Sequence, residues 1–439
     1  MQNIVNLVIF ASNLHDNGSV SQSRQPLFEG IRRFARLEVT YPSMLSTLPS
    51  SMGGWIDGIE RPGENIKDGE RRKTVCFIAT GGTEEMFRDY VDVLPRPVLL
   101  LSDGLHNSFA ASFEIQTYLE QRGIASTLLN APLDYDEAFF EDMELKLFGD
   151  DAGSHAPCSS DPLPRLKRST LKGFEKSRIG LIGSASGWLI SSGIDRKAVE
   201  AQYGTKFIDI PLRELEDAFA ETPSDNPATA GLRQKMEPYL TGDRTPDDLR
   251  EAARMYLALR QLVSKYSLTA LTLKCFGILR SCRTTACLAF ALLNDDGIVA
   301  GCEGDIPALW SMIYVRNAYG QQGFMANPAS SNRRELTIDF AHCTIPLGMV
   351  HGYRLHSHFE SGMGIGVAGS VPSGRYRIVK IFGEKLDQYY ETEGDLIMNT
   401  NIPQRCRTQV RFRFPDEEAF DRFFSLGKGN HIILCKAAR

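Results

Sequence analysis

No stretch of this sequence approaches the roughly 18 consecutive apolar residues that suggest a membrane span. No basic segment precedes its first apolar run, residues 4–11, so the pattern of a secretory signal is missing and the run reads as a buried first strand. Neither sign of charge dominates: 54 acidic residues against 49 basic ones leave a formal charge of -5, too little for a global field that would hold nucleic acid or an anionic membrane. The nine cysteines show no framework spacing and no CxxC pair. Most sit inside apolar runs such as 75–78 and 287–293, which implies reduced, buried thiols in a cytoplasmic protein. Repeats in the solenoid range and low-complexity tracts are also missing.

What is present is an ordinary globular composition, 42% hydrophobic and 23% charged over 439 residues, too long for one core and too apolar for disorder. The first third alternates short aliphatic runs with helical patterns. Strands are expected at 4–11, 74–79, 98–101 and 127–129, helices at 25–34, 84–93 and 109–122, and a solvated loop at 59–73. This βαβ rhythm predicts a parallel, doubly wound sheet. Residues 150–173, rich in Asp, Ser, Pro and basic residues, read as a linker. A second α/β unit follows, with strands at 179–182, 206–210 and 270–274 and helices at 196–203 and 212–219. Thr245, Pro246 and Asp248 supply the cap, first-turn proline and capping-box acid of a further helix. Beyond about residue 335 the period changes to two, which predicts a β-rich domain. The expected divisions are 1–172, 173–300 and 301–439.

Two glycine-rich turns follow strands: Thr80, Gly81, Gly82, Thr83, Glu84 and Gly183, Ser184, Ala185, Ser186, Gly187. Neither matches a dinucleotide or Walker pattern, and the second reads as a plain βα turn. The sharpest acidic feature is Glu303 and Asp305, after an apolar strand and before an apolar helix expected at 308–314. Two such carboxylates are costly to bury unless they meet a cation, a metal or donors. Asp305 is open to two readings, helix N-cap and metal ligand. Five of the eight histidines lie in the last hundred residues, His342 at the end of an apolar strand and His431 at the start of one. His356 and His358 form a rival pair on one strand face. A zinc site of Cys275, Cys282, Cys287 and Cys302 lacks the usual ligand spacing. The arginines 405, 407, 411 and 413 share an expected strand face and read as solvated, with an anionic substrate or an oligomer partner as the alternative.

Taken together, the segments 80–84, 101–119, 183–190, 273–276, 302–305, 342–346, 361–369 and 429–431 resemble the fucose and arabinose isomerases, and most closely their shorter relatives. The resemblance implies two Rossmann-like, flavodoxin-like α/β domains followed by a β-rich, barrel-like third. It implies an enzyme that interconverts an aldose and a ketose through an ene-diol, with a divalent cation, commonly Mn, a small sugar as substrate, and assembly as a homo-oligomer. It gives Asp305 the part of base and metal ligand and His431 and His342 the part of metal ligands; Glu303 matches no family residue, and its position two residues before Asp305 makes it a candidate partner in catalysis. In the matching turns Thr83, Glu84 and Asn430 stand as sugar contacts. At residues 280–287, where the resemblance implies a further catalytic glutamate, the sequence has no carboxylate. A sugar-binding protein without turnover, and a lyase or epimerase on a modified sugar, are therefore the alternatives.

Overall fold

The computed structural model describes residues 2–12, 20, 22–40, 42, 69–149, 164–166, 173–427 and 429–437. Of the expected linker only residues 164–166 and 173 fall among these. The expected loop at 59–73 is described from residue 69, and Glu70 already belongs to a strand. The chain forms two compact units: one of residues 1–161, 187–191 and 329–332, the other of the remainder.

In the first unit, β1 (Gln2–Phe10), β2 (Arg36–Thr40), β3 (Glu70–Ile78), β4 (Val98–Ser102) and β5 (Ser126–Asn130) form a parallel sheet in the order β2-β1-β3-β4-β5. Strands in such a sheet are buried on both faces, so they read as unbroken apolar runs. Val5, Leu7 and Ile9 of β1 pack with the helices Gln25–Phe34 and Glu137–Phe148. Val8 and Phe10 pack on the opposite face with the helices Glu84–Tyr90 and Ser108–Gln121. Each such side chain contributes about 1.5–3 kcal/mol on full burial. β2 and the helix Glu137–Phe148, capped by Asp136, complete the alternation expected from the sequence.

The second unit begins with a parallel sheet of β6 (Arg178–Ile182), β7 (Lys206–Ile210), β8 (Ala270–Leu273) and β9 (Val299–Gly301), ordered β7-β6-β8-β9. The helix Pro246–Tyr266 carries the full capping box of Thr245 and Asp248. Six strands then close an antiparallel barrel, β10 (Phe324–Asn332, its last four residues counted with the first unit), β11 (Thr337–His342), β14 (Gly374–Phe382), β15 (Gln388–Asn399), β16 (Thr408–Arg413) and β17 (Ile432–Lys436), in the order β10-β11-β16-β15-β14-β17. β12 (Gly352–His356) and β13 (Gly366–Ser370) form a separate two-stranded sheet. The fold is therefore α/β with a barrel, as expected. The boundary read at residue 300 falls inside this unit because the apolar helix Ile306–Tyr319 belongs to one core with both the parallel sheet and the barrel. Trp310 from that helix lies 4.3 Å from Phe174 and 5.1 Å from Tyr203, ring centre to ring centre.

Two expectations about the barrel region are corrected. Of the four arginines Arg413 is exposed as expected, but the others do not form a solvated face: Arg405 is buried and, with Arg411, clamps the buried Asp339, while Arg407 donates to the carbonyl and hydroxyl of Ser357. Burying Asp339 demands cations, and the arginines meet that demand. His356 and His358 do not share a strand face, since β12 ends at His356 and His358 is buried beyond it.

Candidate active site

The site is built where β9 runs into the helix Ile306–Tyr319. Glu303 and Gly304 both adopt the left-handed conformation, with φ of 65° and 74°. That conformation is disfavoured for Glu and free for Gly. A Cβ on Gly304 would lie 2.6 Å from the Cα of Ala185 and 2.7 Å from the carbonyl oxygen of Ser184. The second glycine-rich turn is thus more than a connection. It presses on Gly304, and the amide of Ser186 donates to the carbonyl of Glu303 at 2.8 Å.

Asp305 satisfies the cap reading: its Oδ1 accepts from the amide of Ala308 at 2.8 Å. Its Oδ2 lies 2.8 Å from Nδ1 of His431, at the mouth of β17, and both side chains are fully buried. Burial raises the Asp305 pKa, but the hydrogen bond from His431 and the nearby Lys380 ammonium outweigh it and hold the carboxyl below its usual range. Burial opposes a charge on His431, yet Glu303 and Asp305 together lift its pKa to about 9. The other nitrogen of His431, Nε2, is buried without a hydrogen-bond partner and faces Glu303 Oε1 at 3.6 Å.

Glu303 is further placed by Asn430, whose amide Nδ2 lies 3.3 Å from Oε2. Asn430 is itself held by the amide of Asn327 at 2.9 Å. Lys380, buried in the apolar run of β14, donates to the backbone carbonyl of His431. His342, at the end of β11, stands edge-on to His431 with ring centres 5.4 Å apart, and its Nδ1 pairs with the hydroxyl of Thr344 at 2.9 Å. Burial, joined by the proximity of His431, lowers its pKa to about 3, so the ring is neutral at physiological pH.

Five of the seven residues singled out from the sequence, Glu303, Asp305, His342, Asn430 and His431, therefore come together in the second unit. Thr83 and Glu84 belong to the first, where both are buried at the start of the helix Glu84–Tyr90 and the Thr83 hydroxyl donates to the carbonyl of Thr80. Lys380 and Asn327 were missed. The signal for Lys380 was a lone charged residue inside the apolar run 378–382, which must find a partner; Asn327, in a strand with three further polar residues, offered none.

The donor set fits a divalent cation. Among the described residues, Cys302, Glu303 and His342 each offer a ligand atom within 4.8 Å of the others, and Cys302 and His342 are buried. A neutral imidazole and a carboxylate are metal donors as they stand. The Nε2 of His431 faces Glu303 without a hydrogen-bond partner and becomes a further donor when a cation displaces its proton. The segment 280–287 contributes no carboxylate, and Cys287 there is a buried thiol whose pKa burial drives well up.

No family model matches the chain. It is 31% identical over 145 residues to a sulfoquinovose isomerase from Clostridium sp. (strain MSTE9), a match covering 32% of each protein. It is 25% identical over 240 residues to a sulfoquinovose isomerase from Alkalicoccus urumqiensis, covering 50% of this chain and 53% of the relative. The chain thus spans between about a third and about half of the curated relatives that it matches.

Proposed function

We propose that this protein is an aldose–ketose isomerase, acting on a sugar through an ene-diol with the help of a divalent cation. One observation carries the reading: a buried histidine, His431, held at Nδ1 by Asp305, turns an unpartnered Nε2 toward Glu303. Such an arrangement orients a ligand and tunes it, as a carboxylate behind a metal-binding imidazole does. The names of the two relatives, both sulfoquinovose isomerases, support a sugar as the substrate.

His342 and His431 would hold the cation, with Glu303 shared between ligation and proton transfer. When bound, the cation supplies Lewis-acid polarisation of the sugar's carbonyl and hydroxyl oxygens; Mn is the ion that the family resemblance implies. Asp305 has both oxygens engaged inside the protein and is fully buried, so its part is to position His431. Glu303 keeps 12% of its side chain exposed and is the carboxylate that can reach a substrate carbon. It takes the proton beside the carbonyl and returns it to the neighbouring carbon, while the hydroxyl proton passes from one sugar oxygen to the other and the Asn430 amide fixes the second oxygen of Glu303.

Incubation of the full chain with Mn and a panel of aldoses, sulfoquinovose included, in heavy water tests this. Deuterium entering at the carbon beside the carbonyl is the expected result. Binding without exchange supports instead a sugar-binding protein, the reading that the carboxylate-free segment 280–287 favours, and conversion to smaller products supports a lyase.

A further inference from the structure

We infer that Cys302 ligates the cation of this site as a thiolate, its thiol proton passing to solvent as the ion binds, so that the cation it selects is thiophilic, of the Zn(II), Co(II) or Fe(II) class, and not a purely oxygen-seeking ion such as Mn(II). The inference rests on the metal-dependent reading above and sharpens it.

Three features point there. First, the Sγ of Cys302 belongs to the same compact donor group as the Glu303 carboxylate and the His342 ring, all within 4.8 Å. Tetrahedral ligands with bonds of about 2.0–2.3 Å stand about 3.5 Å apart, so closing this group on an ion needs side-chain shifts on the order of 1 Å. Second, the ring nitrogens are sorted for the task. Nδ1 of His342 is taken by Thr344, which leaves Nε2 for an ion, and Nε2 of the fully buried His431 faces Glu303 without a hydrogen-bond partner. Third, Cys302 has a partner of its own, since Cys275 Sγ lies 3.1 Å from Cys302 Sγ. An S–H from Cys275 donating to a metal-bound thiolate is the outer hydrogen bond that metal-ligating groups ordinarily carry. Soft thiolates favour Zn(II), Fe(II) and Co(II) over Mn(II), whereas carboxylate and imidazole alone discriminate little.

Co(II) is the probe. Titrated into the metal-stripped full-length protein, it is expected to give a near-ultraviolet sulfur-to-cobalt charge-transfer band that saturates at one equivalent. Cys302→Ser, which changes one atom, is expected to lose that band and to weaken Co(II) binding at least tenfold, with an unchanged far-ultraviolet circular dichroism spectrum. Cys275→Ala keeps the band and shifts its energy. Cys343→Ser, which alters a second buried thiol adjoining His342 in sequence, leaves the band in place. Three results overturn the proposal: Co(II) bound without the band, no Co(II) bound at all, or a band that persists in Cys302→Ser or vanishes in Cys343→Ser. Deuterium exchange with sugar, measured on the same preparations, separates this from the isomerase reading. Exchange without the band removes the thiolate and keeps the isomerase, and the band without exchange does the reverse.

Discussion

Asp305 Oδ2 and His431 Nδ1 meet at 2.8 Å across 126 residues of sequence, both side chains without solvent exposure. The contact ties the start of the helix Ile306–Tyr319 to the mouth of β17, and one carboxylate serves as cap and as orienter at once. Removing it leaves a buried imidazole between Glu303 and no counter-group. Asp305→Ala is expected to lose about 3–5 kcal/mol of stability, the usual cost of breaking a buried pair, part of it from the lost cap. Asp305→Asn keeps the shape and the cap, so it should fold while divalent-cation affinity falls about 10–100-fold. Denaturant titration and metal titration read the two effects separately, and an Asp305→Asn protein with unchanged cation affinity would remove Asp305 from the positioning role.

Gly304 holds Glu303 in place through backbone conformation alone. With φ at 74° and Ala185 and Ser184 inside 3 Å of any Cβ, Gly304→Ala must strain the chain or push the neighbouring turn away. About 1–3 kcal/mol of destabilisation is expected, together with loss of exchange activity as Glu303 shifts. Gly193→Ala, where an added Cβ meets nothing within 4 Å, is the control and should leave both unchanged. Thermal unfolding and the heavy-water assay on the two variants decide it.

The Asp339 cluster makes stability depend on acid. Burial raises the Asp339 pKa, but the Arg411 and Arg405 guanidiniums outweigh burial and hold the carboxyl below its ordinary value. A folded pKa below the unfolded one means that the stabilisation is fully present above the unfolded value, about 4, and is lost as pH falls through the folded value. Asp339→Asn, which strands two arginines, one of them buried, is expected to cost about 3–5 kcal/mol at pH 7. The gap to the parent protein should narrow below about pH 4. A gap that stays constant from pH 7 to pH 3 in urea titrations would contradict it.

What was legible in the sequence was what local chemistry determines. Thr245, Pro246 and Asp248 announce a helix because cap, ring and acid act within one turn, and that helix runs as Pro246–Tyr266 with its capping box intact. The β1 run was legible because burial on both faces forces continuous apolarity. Arg405 was misread because its partner, Asp339, is 66 residues away, and no local pattern shows that a cation will be buried against it. Cys302 and Glu303 stood in plain view as neighbours, but the strand turn that leaves Glu303 at positive φ beside His342 is a tertiary fact. The second glycine-rich turn was underestimated for the same reason, since its role lies in pressing on Gly304 from another part of the fold.

Glu303 is where proton transfer and binding part company. Its Oε2 is held by Asn430 and its Oε1 faces His431 Nε2, so Glu303→Gln preserves a hydrogen-bonding shape while removing the base. General-base loss of this kind is expected to lower deuterium exchange about 10²–10⁴-fold. Sugar binding, measured calorimetrically, should persist, because an amide of the same size still fills the place beside Asn430. Asn430→Asp tests the other half. A carboxylate set 3.3 Å from Glu303 repels it, so the pair is expected to retain a proton and the rate optimum to move to higher pH. If Glu303→Gln exchanges deuterium at the parent rate, the base lies elsewhere, and Glu303 keeps only its place in the donor group with Cys302 and His342.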